Sequence, residues 1–344
     1  MHRHIFNCGD LELEGGGTLL NASLVYATWG VLNEAGDNAL ILPAFVAGTP
    51  EGYLPFIGPE CAFDPDRYFI VAPNLFGGGL STSPSNAAES QRGPLFPSVS
   101  VNDNVRAQRI LADALGVRRF AMAAGYSLGA QQSLAWAMIF PDMVERVAAW
   151  CGTARSSAHT VLVFEAMRAV LAGSPDFAEG SYSEPPSIGL RLLARVYAPW
   201  ALSQAWYRAA GWKRLGFPTL DTFMVNFWDA TMVGLEANDF LIQISTLQGA
   251  GSAPRSDSDW MEALAAIRIP VLLMPSSSDL YFPAEEAAET ASMIEHGACI
   301  PVESDWGHFA GMGLDAIATQ HINARIARLL EAPAPRSSGT ELTL

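Results

Sequence analysis

Positive charge is scarce in this 344-residue chain. It has 20 basic residues against 35 acidic ones, a formal charge of −15 at pH 7, and a single lysine, Lys213. Nucleic acids and anionic membrane surfaces select basic patches, so neither is an expected partner. Cysteine is scarce too. Cys8, Cys61, Cys151 and Cys299 form no C-x-x-C pair, a pattern that fits neither a zinc site nor a disulfide framework. The six histidines include no H-E-x-x-H, so no metal is expected. His2 and His4 lie at a terminus, where a frayed end is the expected state. An apolar leader is missing from the first residues, so no secretory signal is read and the cytoplasm is the expected location. One stretch, 120–141, runs 22 residues without a charge. Gly125, Ser127, Gly129, Gln131 and Gln132 near its middle would be costly in lipid. A buried strand, a tight turn and a buried helix explain it better, and no membrane association is expected.

What is present is apolar. Hydrophobic residues make up 50% of the chain and charged ones 16%, enough to bury a proper core. Short Val/Ile/Leu-rich runs recur: 40–42, 68–72, 120–124, 147–151, 271–274 and 298–302. Runs this short and apolar suit strands buried on both faces of a parallel sheet. Helical spacing links them, notably over 102–114, 128–140 and 314–330. From Ser156 to Ala253 no strand pattern is found. That segment carries Tyr197, Trp200, Trp206, Tyr207, Trp212, Phe217, Phe223, Phe227 and Trp228. It reads as an all-helical cap over a sheet, with a separate helical domain as the alternative. The expected division is 1–155 and 256–331 as two parts of one α/β core, 156–255 as the cap, and 332–344 as a disordered tail.

Gly125-Tyr126-Ser127-Leu128-Gly129 matches G-x-S-x-G. The match is weak alone, but it follows a strand run and opens a helix run, the setting of the α/β-hydrolase nucleophile elbow. Ser127 is therefore the candidate nucleophile. A serine hydroxyl needs a base, and in such folds the chain order is Ser, acid, His. Asp279, just past the run at 271–274, and His308, past the run at 298–302, supply that order. Asp305 and Glu303 are rival acids. His159, His296 and His321 are rival bases; His159 falls at the cap entrance, and the other two are expected on helices. The N–H of Leu128 is the expected first oxyanion donor, and that of Phe45, in the loop after an early strand, the second.

These segments resemble the homoserine O-acetyltransferase-like branch of the α/β-hydrolase superfamily. The resemblance runs from about Leu24 to Leu330. It rests on Tyr26-Ala27-Thr28-Trp29-Gly30, Asn74-Leu75-Phe76-Gly77-Gly78-Gly79 and Ser81-Thr82-Ser83-Pro84-Ser85. It rests also on Gly125 to Gln132 with Trp136, on Glu236-Ala237-Asn238 and on Gly307-His308. It implies an α/β-hydrolase fold, a mostly parallel central sheet flanked by helices with a helical cap, and a Ser127–Asp279–His308 triad. The acetyltransferases typically read Gly-His-Asp, the Asp helping to hold the homoserine amine. This chain has Phe309 there, Tyr126 where a second Gly is usual, and Pro43-Ala44-Phe45 for His-Ala-Leu. The sequence is closer to the branch's ester hydrolases.

The expected activity is therefore hydrolysis of short-chain, acetate-type esters through an acyl-enzyme, with no cofactor. Tyr126, Phe309 and Trp228 are the expected substrate contacts. The alternative is an O-acetyltransferase taking acetyl-CoA and homoserine or another alcohol, with Arg155, Arg191 or Arg195 near the anionic donor. A non-catalytic binding protein on the same fold is a further alternative. The aromatic cap predicts a homodimer through its helices.

Overall fold

The computed structural model describes residues 2–250 and 257–332. Two strands open the chain, β1 (His2–Glu12) and β2 (Thr18–Trp29). They form an antiparallel hairpin around Gly15–Gly17, where Gly16 and Gly17 adopt positive φ. The expectation of a frayed N-terminus is thus corrected. Phe6, Cys8 and Leu11 pack against a small core under β2, and the His4 ring stacks on Tyr26. An edge strand that buries little reads as polar sequence, so its pattern gave no strand signal.

The parallel part follows. It comprises β3 (Ala39–Ile41), β4 (Phe69–Pro73), α1 (Val101–Ala114), β5 (Phe120–Tyr126), α2 (Leu128–Ile139) and β6 (Val147–Trp150). The expected runs fall on these strands. Their residues are almost all buried, as a sheet covered on both faces requires. Ser100 and Asp103 close a capping box on α1, which satisfies amides that the first helical turn leaves open.

From β6 the chain enters a long helical stretch. It holds α3 (Ala158–Ala172), α4 (Ser187–Ala201), α5 (Gln204–Arg208), α6 (Leu220–Phe223), α7 (Ala230–Val233) and α8 (Ala237–Gln248). A turn of π-helix, Met224–Asp229, joins α6 to α7. Then come α9 (Asp257–Ala265), β7 (Val271–Met274), α10 (Ala284–Ser292), β8 (Gly297–Cys299) and α11 (Ala316–Glu331). The last expected run, 298–302, is a strand only in its first part. Pro301 has no N–H for a ladder, and Val302 makes a single bridge to Ser276. His296, expected on a helix, lies in the turn before β8. The turn is tight: a Cβ on Gly297 would stand 2.2 Å from the Ala291 carbonyl oxygen. Of the expected tail, 333–344 lies outside the described residues.

Among the described residues eight strands form one sheet, ordered β1-β2-β4-β3-β5-β6-β7-β8. From β4 to β8 all neighbours run parallel. The carboxyl ends of β3, β5, β7 and β8 therefore share one edge, where ligands bind in open α/β sheets. No helix among the described residues is long and apolar enough to cross a membrane.

Candidate active site

Ser127 sits between β5 and α2 with φ 56° and ψ −122°. A non-glycine residue holds such a backbone only where its surroundings impose it. Three glycines make the turn possible. A Cβ on Gly125 would meet the Gly129 carbonyl oxygen at 2.2 Å, and one on Gly129 the Pro43 carbonyl oxygen at 2.4 Å. One on Gly152, after β6, would meet the Ser127 carbonyl oxygen at 2.8 Å. Gly152 escapes a motif search because its role is set by the neighbouring strand. Leu128 opens α2, so its amide has no acceptor within the helix.

Asp279 and His308 reach Ser127 from the two loops that follow β7 and β8. Nδ1 of His308 lies 2.7 Å from Oδ2 of Asp279, and Nε2 lies 3.0 Å from Ser127 Oγ. All three residues are buried, at 4%, 6% and 5% exposure for Ser127, Asp279 and His308. The other carboxylate oxygen, Oδ1, accepts from the Tyr281 and Phe282 amides at 2.8 and 3.2 Å. With Asp279 keeping a proton on Nδ1, Nε2 faces the serine as an acceptor. Ser278 ties the two loops together: its Oγ donates to the Ser304 carbonyl and accepts from the Gly307 amide.

The rival groups are not joined to Ser127. The Asp305 carboxylate accepts from Nη1 and Nη2 of Arg214, at 3.1 and 2.8 Å, and Arg214 lies over the Trp306 ring. Its backbone carbonyl accepts from Ser203 Oγ. Glu303 is exposed, His159 is on α3 against Trp200, and His321 is on α11. Cys151, at the end of β6, is buried, and burial pushes its thiol well above the usual range. It stays protonated and a poor nucleophile.

Aromatic rings hold His308 in place. Tyr126, Tyr281 and Phe282 stand 4.8, 5.0 and 5.7 Å from it, centroid to centroid. Tyr126 Oη also donates to the His308 carbonyl at 3.1 Å. Gly311 allows this packing: a Cβ there would strike the Tyr126 and Trp150 rings.

Beside Ser127 and His308 opens a cavity of about 140 Å³. That is small against the roughly 300–1,000 Å³ of sites for drug-sized ligands. The core contributes Phe45, Tyr126 and Phe309 to its wall; the helical stretch contributes Phe164, Tyr197, Trp228 and Phe240. Trp228 meets Phe309 at 5.5 Å, and the π-helical turn carries it. Such turns recur at functional sites. Among the described residues lining the cavity, none is acidic or basic apart from His308. The expected substrate contacts Tyr126, Trp228 and Phe309, and the expected oxyanion donor Phe45, all line this cavity with Ser127. The three arginines are not: Arg155 lies over the Trp260 ring, Arg195 pairs with Asp229, and Arg191 is exposed. The described residues hold no group of three or more metal-ligating side chains.

Residues 40–313 match the family model described as alpha/beta hydrolase fold. The chain belongs to this family. Within it, the chain is 32% identical to the ethyl acetate hydrolase of Pseudomonas veronii over 96% of both chains. It is 29% identical to a homoserine O-acetyltransferase of Trichormus variabilis, over 87% of this chain and 86% of that one. Among solved structures, an acetylester hydrolase from Corynebacterium glutamicum superposes with a TM-score of 0.93, at 30% identity and 96% coverage of both chains. The α/β-hydrolase relatives thus include ester hydrolases and homoserine O-acetyltransferases, the branch to which the motifs pointed.

Proposed function

We propose that this enzyme is a serine esterase that hydrolyses small neutral esters of the acetate type. One observation carries the reading: the Ser127–His308–Asp279 chain of hydrogen bonds opens into a small cavity with no charged wall. Ser127 Oγ attacks the ester carbonyl while His308 Nε2 takes its proton, and Asp279 steadies the imidazolium. The amides of Leu128 and Phe45 are the proposed oxyanion donors, each worth roughly 3–4 kcal/mol in comparable sites. The imidazolium then protonates the departing alcohol. Water, deprotonated by His308, cleaves the acyl-serine and releases the acid. No cofactor takes part. Residues 156–255 act as a cap whose inner wall excludes water from the acyl-enzyme.

The similarity to a homoserine O-acetyltransferase keeps acyl transfer as a second reading, with an alcohol in place of the water. A charged amino acid would meet Phe309 and the other apolar walls, which favours the hydrolase. The experiment is release of nitrophenol from p-nitrophenyl acetate, with and without acetyl-CoA and homoserine. Fast release that homoserine does not accelerate, abolished in Ser127→Ala together with fluorophosphonate labelling, is the expected result. Slow release accelerated by homoserine, with O-acetylhomoserine formed from acetyl-CoA, would establish the transferase instead.

A homodimer through the cap helices belongs to the same proposal. The cap aromatics do not support it: Trp206, Phe223 and Trp228 are buried, and the rings pack on one another. What supports it is Leu162 on α3 with Ile188 and Leu192 on α4, all exposed. The cytoplasm is the proposed setting, since all four cysteines are free thiols, the state that reducing compartments maintain.

A further inference from the structure

The loop that carries Phe45 is fastened from two sides. From the core, Tyr53 Oη donates to the Pro43 carbonyl at 2.6 Å, and Gln132 Nε2 to the Ala44 carbonyl at 2.8 Å. Gln132 is itself held by Gln108, and Gln108 by the Trp136 indole. From the helical stretch comes one side chain. Oε1 of Gln243, on α8, accepts from the Ala47 amide at 2.7 Å. Its Nε2 donates to the Gly77 carbonyl at 2.8 Å and to the Asp239 carbonyl at 3.2 Å. Gln243 is buried, so these bonds face little competition from water.

The residue it grips is strained. Ala47 has φ 56°, a left-handed conformation that an L residue keeps only when neighbours impose it. Ala47 is two residues beyond Phe45, and both line the cavity. Gly48 and Gly52 seat the Phe45 ring, since a Cβ on either would stand 2.7 Å from it. The loop after β3 and the loop after β4 are therefore bridged by the Gln243 amide, beside a direct bond from Asn74 Nδ2 to the Gly48 carbonyl at 3.2 Å. Glutamine suits the position because its planar end accepts on one side and donates on the other.

We infer that Gln243 is a positioning residue for ester hydrolysis: its grip on Ala47 sets the pose of the Phe45 amide, so the oxyanion site is assembled only with α8 docked. The inference rests on the esterase reading above and on Phe45 as a donor. Gln243 touches no reacting atom in this account. Its effect passes through the loop, and it should act on the transition state more than on substrate binding.

Gln243→Met tests it, since Met is of similar length and bonds neither loop. Active sites are counted first by fluorophosphonate titration, so that unfolded protein is discounted. Per titrated site, kcat on p-nitrophenyl acetate is expected to fall at least about tenfold, part of the 10²–10³ lost with a whole oxyanion donor. KM is expected to change by less than about twofold. A trifluoromethyl ketone, which forms a tetrahedral oxyanion on the serine, should lose affinity by the factor lost in kcat/KM. Amide exchange over 43–48 should quicken. Wild-type kcat per titrated site, with only the titrated fraction or Tm lowered, would overturn the inference. Failure of the esterase reading shows separately, as a wild type that neither releases nitrophenol nor takes up the fluorophosphonate. The exchange comparison then decides alone: unchanged exchange over 43–48 overturns the grip, and faster exchange supports it.

Discussion

Replacing Phe309 by alanine should change which esters fit. Phe309 is 7% exposed, packs against the Trp228 ring and with it lines the cavity of about 140 Å³. Truncating a buried Phe costs about 3–5 kcal/mol, and the low end applies where the side chain already borders empty space. With about 2.1 cal/mol/K of unfolding entropy per residue, a chain of 344 residues loses roughly 1.4 °C of Tm per kcal/mol. The expected loss is therefore about 4 °C, and the variant remains folded. The vacated space accepts a longer chain. Each buried methylene contributes about 0.8 kcal/mol, so two of them are worth roughly 15-fold in kcat/KM. The assay compares p-nitrophenyl butyrate with p-nitrophenyl acetate, and butyl acetate with ethyl acetate, in both proteins. One ratio should rise by up to that factor, and which one identifies the side of the ester that Phe309 faces. A folded variant in which neither ratio moves would refute the reasoning that Phe309 limits substrate size.

Two other outcomes follow from the geometry. Asp279→Asn keeps an acceptor for the Tyr281 and Phe282 amides but can present an NH₂ to His308 Nδ1, which favours the wrong tautomer; kcat should drop by about 10⁴, with circular dichroism unchanged. Leu192→Glu places a charge on the exposed apolar face of α4; light scattering should show the wild type as a dimer and the variant as a monomer, and a monomeric wild type would dismiss the dimer.

Much of the fold was legible because a parallel sheet buried on both faces leaves uniform apolar runs. The runs at 40–42, 120–124, 147–151 and 271–274 coincide with β3, β5, β6 and β7 to within a few residues. The opening strand was missed because it lies at the sheet edge, where Ile5 is exposed and few side chains are buried. Ser127, Asp279 and His308 were readable from chain order and loop position, and the structure brings them within hydrogen-bonding distance. Asp279 is preferred to Asp305 on that ground; that Arg214, 91 positions away, holds the Asp305 carboxylate had no sign in the sequence. Gln243 and Gly152 carried no signal for the same reason. Each acts on a segment remote in sequence, and a polar or small residue on a helix or loop looks ordinary until that segment is known.

The His308 loop has one more implication. Gly307 has positive φ, and a Cβ there would meet the backbone of 201–203 at under 3.1 Å. Ser203 and Arg214 hold Asp305 from the same helical stretch. The proposed general base and the pocket wall are thus machined as one piece. Replacing the helical stretch wholesale with one from another hydrolase would shift the base along with the wall, so grafting should yield inactive chimaeras. New specificities are more accessible by changing side chains such as Trp228 and Phe309, which alter the wall and leave the backbone seam intact.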